Sequence, residues 1–221
     1  MNSIKESSVE DLKCALKRQA ALLREIDHRV MNNLQLVSTL LLLQSRRSDG
    51  PARETLGCVL GRVNAIAAVQ RQVYRTDSAE LLDLAALAHD MVGQLAAAAG
   101  RRDVVVDLDL EPVIVTAPQG APLALLINEL VGNALLHAFP NARRGALHVS
   151  VRNTLDGYEL AVSDDGVGRS ETAPAQSELG LTIVSLLCQQ LHARLDVTDA
   201  EPGVRVSIQV STAAPALAQA S

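Results

Sequence analysis

The stretch LLREIDHRVMNNLQLVSTLLLLQ, residues 22–44, decides the fold of the first part of the chain. Leu16, Leu23, Val30 and Val37 stand seven apart, and Leu34 and Leu41 continue a second row. That spacing is a helical seam wide enough to bury against partner helices. His28 lies beside the seam with Arg29, next to Asp27, one turn from Glu25 and one turn before Asn32 and Asn33. A polar cluster there gains nothing from core packing, so it invites a chemical explanation. Taken alone, the stretch fits a solvated histidine on a bundle helix better, because lone histidines on wet helix faces are common.

Working outward, residues 8–45 read as one long helix, broken by SRRSDGP at 45–51. Asp49 or Gly50 can cap the next helix, and Pro51 suits its first turn. The second helix runs to about Tyr74 on the stripe Leu56, Val59, Leu60, Val63, Ile66, Ala67, Val73. A helical hairpin of this kind leaves one face bare. Two copies are therefore expected to pair into a four-helix bundle, a homodimer through residues 8–75. Residues 76–79 are a polar joint, and a helix follows at about 84–98. The period then changes to two: strands are expected at 104–110 and 113–116, a helix at 121–138 and a hairpin turning at 155–157. A helix at 179–192 and two last strands, joined at 201–203, complete an α+β pattern with helices on one face of a mixed sheet. The expected domains are thus 1–78, 79–211 and a disordered tail at 212–221.

Composition narrows the function. The chain has 221 residues and only three aromatics, Tyr74, Phe139 and Tyr158. That argues against base stacking and so against single-stranded nucleic acid. Residues 1–78 carry 12 Lys+Arg against 8 Asp+Glu, and residues 79–221 carry 8 against 17, which together give the net charge of −5. A negative second half does not suit nucleic acid, whereas a positive helical half suits an acidic partner. Cys14, Cys58 and Cys188 form neither a metal spacing nor a disulfide framework, so a cytoplasmic home is expected. The N-terminus has no apolar signal core, and the unbroken apolar runs at 40–43 and 123–127 are far short of a membrane span, so no membrane is expected. No sensor domain precedes the helix, and the stimulus is expected to arrive through a separate sensor partner or another subunit.

Three pieces of the second half bear on chemistry. In LLINELVGNALLHAF (125–139), Glu129, Asn133 and His137 are four apart and share a stripe opposite the apolar face. A carboxylate above an amide oxygen is a fair perch for Mg²⁺, although a plain solvated face is the commoner meaning of such a stripe. DDGVG (164–168) follows a strand, and Gly166 and Gly168 allow close backbone approach to a ligand or simply make a turn. In ELGLTIV (178–184), Gly180 opens a helix whose free amides can hold phosphate or merely be capped.

EIDHRVMNNLQ (25–35) resembles the phosphoacceptor helix of bacterial sensor histidine kinases, in the His-Arg-x-x-Asn (HWE-related) subgroup, through His28, Arg29 and Asn32. The three later pieces, in order and spacing, resemble the asparagine box and two glycine boxes of that family's ATP-binding domain, a Bergerat-type (GHKL) α/β sandwich. The resemblance covers roughly residues 10–210. It implies ATP and Mg²⁺ as cofactors and a receiver domain of a response regulator as partner. It makes His28 the phosphorylated residue, Asn133 a Mg²⁺ ligand and Asp164 the acceptor for the adenine amino group; Glu129 stays a candidate second ligand on its place in the stripe alone. Gly166 and Gly168 then shape the adenine wall, His137 closes the asparagine box, and Gly180 with Leu181 belongs to the phosphate-binding lid. Arg29 stands where other subgroups carry an acid, so Glu25, Asp27 or Glu129 must orient or deprotonate the imidazole.

The chain departs from the pattern. Leu136 replaces a common lysine, Val204 a common threonine, and Glu178 the first glycine of a full second box. No lysine follows Lys17, leaving arginines such as Arg143, Arg144 and Arg169 to meet phosphate charge, and the lid between Gly168 and Glu178 has nine residues. Weak ATP binding is expected. Two further readings stay open: a histidine phosphotransferase or regulator phosphatase on a decayed kinase fold, and a non-enzymatic dimeric scaffold.

Overall fold

The structure, a computed structural model, describes residues 2–75, 80–168 and 175–212. The joint at 76–79, the lid residues 169–174, the tail from 213 onward and the side chains of Asp27 and Glu178 lie outside the described residues. The chain divides into two compact units, 1–63 and 64–221.

The first unit contains α1 (Asn2–Arg47) and the opening turns of α2 (Gly50–Arg75). Arg46 and Arg47 end α1, where positive charge complements the helix dipole. Ser48 closes the turn, its hydroxyl donating to Gln44 O at 2.9 Å, and Gly50 takes the left-handed φ of 56° that starts the second helix. Met31, Leu34, Ser38, Leu41 and Ser45 form the half-buried row of α1, at helical spacing, and Leu56, Val59, Leu60 and Val63 are half-buried on α2. The other apolar row of α1 is bare: Leu36, Leu40 and Leu43 are 59 %, 58 % and 51 % exposed. Val30 and Val37 are exposed too.

The second unit builds a five-stranded mixed sheet in the order β2-β4-β5-β7-β6 from β2 (Val104–Leu110), β4 (Gly145–Thr154), β5 (Gly157–Asp164), β6 (Ala193–Asp199) and β7 (Val204–Ser211). β2 runs parallel to β4, and the remaining pairs are antiparallel. Short strands β1 (Leu81–Asp83) and β3 (Ile114–Thr116) make a separate two-stranded sheet. Helices α3 (Leu84–Ala99), α4 (Ala117–Asn133) and α5 (Ala175–Gln190) pack into one apolar core with the sheet, joining Leu84, Leu87 and Met91 to Leu123 and Ile127 and to Leu147, Leu160 and Ile208. α3 is fixed at both ends: the Asp83 carboxylate accepts from Ala85 N at 2.9 Å, and Gly100 ends the helix at φ 63°.

Several features depart from the sequence expectation. α5 starts at Ala175, so Gly180 lies inside the helix and does not open it, and its amide is not one of the free first-turn donors expected to hold phosphate. The boundary of packing falls inside α2, not in the joint after it: Ala65, Ala68 and Val69 are buried in the second unit's core with Leu82. α4 starts at Ala117, four residues early, because Thr116 and Gln119 form a capping box and Pro118 sits in the first turn, where no backbone donor is needed. Its end is not α-helical: Ala134–Ala138 is a π-helical turn. The combined stretch Ala117–Ala138 is long and apolar enough to cross a membrane by length and composition, but 67 % of its 18-residue apolar window is buried, as befits the core helix of this unit.

Candidate functional site

In the second unit, Glu129 is 6 % exposed, so the polar stripe of α4 is a lined interior and not a wet face. Its Oε1 accepts from Asn128 Nδ2 at 3.0 Å, a partner on the neighbouring position that helical spacing does not single out. Gly180 of α5 sits against the same stripe. A Cβ on it would lie 3.3 Å from Asn133 Nδ2, 3.5 Å from Glu129 Oε2 and 3.7 Å from Asn133 Oδ1. The first and third motifs are therefore in contact: a Cβ at 180 would press on the Asn133 amide nitrogen and touch two oxygens suited to a hard cation. His137 is half-buried in the π-turn. A π-turn takes more residues per turn than an α-helix, so His137 no longer follows the line that four-residue spacing drew through Glu129 and Asn133. Leu136 and Leu181 are exposed.

The second motif closes the arrangement. Asp164 ends β5, and its Oδ1 accepts from Gly166 N at 2.9 Å. Burial pushes the Asp164 carboxyl above the usual aspartate range, against backbone N–H bonds from Gly166 and Val204 that favour its ionised form. The loop is tied to the π-turn by Val167 N donating to Ala138 O at 3.0 Å. Gly166 has no room for a side chain, since a Cβ would strike Ala138 O. Gly203 approaches from the β6–β7 turn at φ 103°, where a Cβ would collide with the Asp164 carbonyl. The neighbouring acid, Asp165, is structural: its Oδ1 accepts from Ala146 N at 2.7 Å and its carbonyl from Arg143 Nη2 at 3.0 Å. Arg143, named in the sequence for phosphate, thus spends a donor on this loop.

In the first unit, His28 is exposed, with Nδ1 3.2 Å from Asn32 Nδ2. Glu25 is not on the imidazole: its Oε1 accepts from Arg29 Nη2 at 2.5 Å, an exposed pair one helical turn apart. Of the three acids expected to assist His28, Glu25 is thus engaged by the arginine that follows the histidine, and the described neighbour of the imidazole is an amide.

An α/β sandwich in which an asparagine box meets two glycine motifs, behind a helical hairpin bearing an exposed histidine, defines an ATP-binding kinase core. Two family models match accordingly: "Histidine kinase" over residues 25–99, and "Histidine kinase-, DNA gyrase B-, and HSP90-like ATPase" over residues 119–214. The chain belongs to the histidine kinases, with a HWE-type helical domain and a GHKL ATP-binding domain. It is 29 % identical over 213 residues to "Blue-light-activated histidine kinase 2" of Erythrobacter litoralis, covering 93 % of this chain and 60 % of that protein. It is 32 % identical over 208 residues to "Sensor histidine kinase PdtaS" of Mycobacterium tuberculosis, covering 89 % of this chain and 40 % of that one. The chain thus spans between two fifths and three fifths of the length of these relatives. Among solved structures, the histidine kinase domain of an Erythrobacter litoralis blue-light activated histidine kinase superposes with a TM-score of 0.64 at 23 % identity, over 80 % of this chain and 95 % of that one, and shows the fold.

Proposed function

We propose that this protein is the catalytic core of a two-component histidine kinase that phosphorylates His28 from Mg·ATP and passes the phosphoryl group to an aspartate of a receiver domain. The observation that carries this reading is the convergence of Glu129, Asn133 and Gly180 beside the Asp164–Gly168 loop, on a chain whose hairpin exposes His28. Asn133 Oδ1 and the Glu129 carboxylate would hold Mg²⁺ with waters and phosphate oxygens, and the ion would offset the charge of the transferring group. Asp164 accepts from the base's amino group. His28 attacks as the neutral imidazole: the bond from Nε2 to phosphorus forms as the bond from phosphorus to the ADP oxygen breaks. Attack from Nε2 needs the proton on Nδ1, so the Asn32 amide must turn to present its oxygen, and Asn32 becomes the group that selects the tautomer. Asp27 and Glu129 stay as candidates for proton acceptance, and Glu25 takes part only if it leaves Arg29. The bare row of α1 supports a homodimer through residues 8–75, and a cytoplasmic location and a separate sensor partner fit the same reading.

His28→Gln tests it. With radiolabelled ATP, wild type should acquire an acid-labile, base-stable phosphate, and the variant should fold normally and acquire none. Label retained by the variant would place the acceptor elsewhere. Wild type that takes phosphate from a phosphorylated receiver but not from ATP would favour the phosphotransferase reading.

A further inference from the structure

Arg101 lies in the turn between α3 and β2, outside every motif of the nucleotide site, and its side chain is only 21 % exposed. Its guanidinium uses nearly all its donors. Nε reaches both Asp103 carboxylate oxygens at 3.1 Å, and Nη2 reaches Asp103 Oδ2 at 2.7 Å. Nη1 donates to Leu135 O at 3.1 Å and Nη2 to Phe139 O at 2.6 Å. The carbon of the guanidinium stands 5.9 Å from the centre of the Phe139 ring.

The carbonyls it holds are one inside the π-turn, Leu135 O, and one on the residue that follows it, Phe139 O, where a helix ends and leaves acceptors without intrahelical partners. The same turn carries Ala138 O, which receives Val167 N at 3.0 Å and against which Gly166 packs without room for a side chain. A second route runs through Phe139. Its fully buried ring lies against Gly145, where a Cβ would collide with both the ring and Asp165 Oδ1. Both routes end on the loop that fixes the Asp164 carboxylate.

We propose that Arg101 is a positioning residue for base selectivity. It clamps the π-turn, the turn holds Gly166 and Val167, and Gly166 N orients the Asp164 carboxylate. A carboxylate acceptor discriminates between a purine with an amino donor at that edge and one with a carbonyl acceptor, and it does so only while its direction is fixed. Binding of the triphosphate does not depend on that direction. Lysine cannot replace the clamp, because a single ammonium cannot bridge a carboxylate and two carbonyls in one plane. The inference rests on the nucleotide reading of this site.

Titration calorimetry of the full chain with Mg·ATP and Mg·GTP tests it, alongside thermal melts. Arg101→Lys should lose about tenfold in ATP affinity, the effect of one or two charge-assisted hydrogen bonds, with GTP affinity little changed. The ATP-over-GTP preference should shrink by the same factor. Asp103→Asn, which only loosens the guanidinium, should shift the preference in the same direction by less, and it serves if Arg101→Lys fails to fold. A lowered Tm with the preference intact, or equal losses for both nucleotides, would reduce Arg101 to a structural residue and overturn the proposal. Wild type that binds neither nucleotide would instead remove the nucleotide reading itself, and this proposal with it.

Discussion

The two units use the same side chains for opposite ends. In the second, Leu123, Leu126 and Ile127 are fully buried, and the helix that carries them sits in a complete core. In the first, Leu36, Leu40 and Leu43 also share one helical face, and each is more than half exposed. Apolar surface of that extent, continuous along one helix, marks an interface and not a finished fold. The second unit buries its apolar helix within its own core, whereas the first, on the dimer proposed above, would complete its core with a second copy.

The strongest test of that contrast is to spoil each half separately. Leu36→Ser with Leu40→Ser places four polar groups in a dimer interface, two from each protomer. At about 1.5–3 kcal/mol for each leucine, the dimer should weaken by more than ~1,000-fold. Sedimentation should change from dimer to monomer while the second unit melts as before. A wild type that is monomeric at micromolar concentration, or a double variant that still dimerises, would remove the four-helix bundle.

A smaller effect locates the border between the units. A fragment starting at residue 64 keeps Ala65, Ala68 and Val69 in the core beside Leu82, and keeps Gln72 Nε2 donating to Asp83 O at 2.8 Å. A fragment starting at residue 79 loses them. The buried area of one valine and two alanines is worth about 2–4 kcal/mol, so the shorter fragment should melt roughly 5–15 °C lower, and both should be monomeric. Equal melting temperatures would show that the end of α2 is a passenger on the second unit.

The same contrast explains what the sequence could reveal. The seam, the hairpin and the alternating strands are local periodicities, and they were readable because burial on one face imposes them. The residues of the motifs were readable too, as types at spacings. Their surroundings were not. Glu129 looked like part of a solvated stripe because the glycine that covers it, Gly180, is far along the chain. The π-turn was invisible because its carbonyl partners, Arg101 and Val167, come from other elements. Pro118 and Gly120 disguised the first turn of α4 as a loop, and Gly120 is needed there because a Cβ would come within 2.8 Å of Val69 Cγ1. The Glu25–Arg29 pair is a different case: four-residue spacing announced it, but the chemistry expected of Glu25 drew attention to His28.

The smallest expected effect concerns Asp164, and it separates fold from function within one residue. Burial raises its carboxyl above the usual aspartate range, so the folded unit favours the neutral form. Its contribution to stability is then present at low pH and is lost as pH rises through the raised value. Nucleotide binding runs the other way, because the base's amino group needs an acceptor and a protonated carboxyl presents one fewer. Wild-type ATP affinity should therefore fall on acidification, beginning at a higher pH than an ordinary aspartate would give. Asp164→Asn keeps the shape but turns a donor toward the amino group. Affinity at neutral pH should drop about ten- to a hundredfold, and thermal stability at neutral pH should hold or rise, because no partly desolvated charge remains. The ratio of wild-type to variant affinity, taken from a fluorescent nucleotide titrated over about pH 4–8, cancels the titration of the phosphates themselves. If Asp164 reads the base, that ratio should collapse toward unity at the acid end. A ratio that stays constant with pH would mean that the carboxylate matters only to the loop it caps.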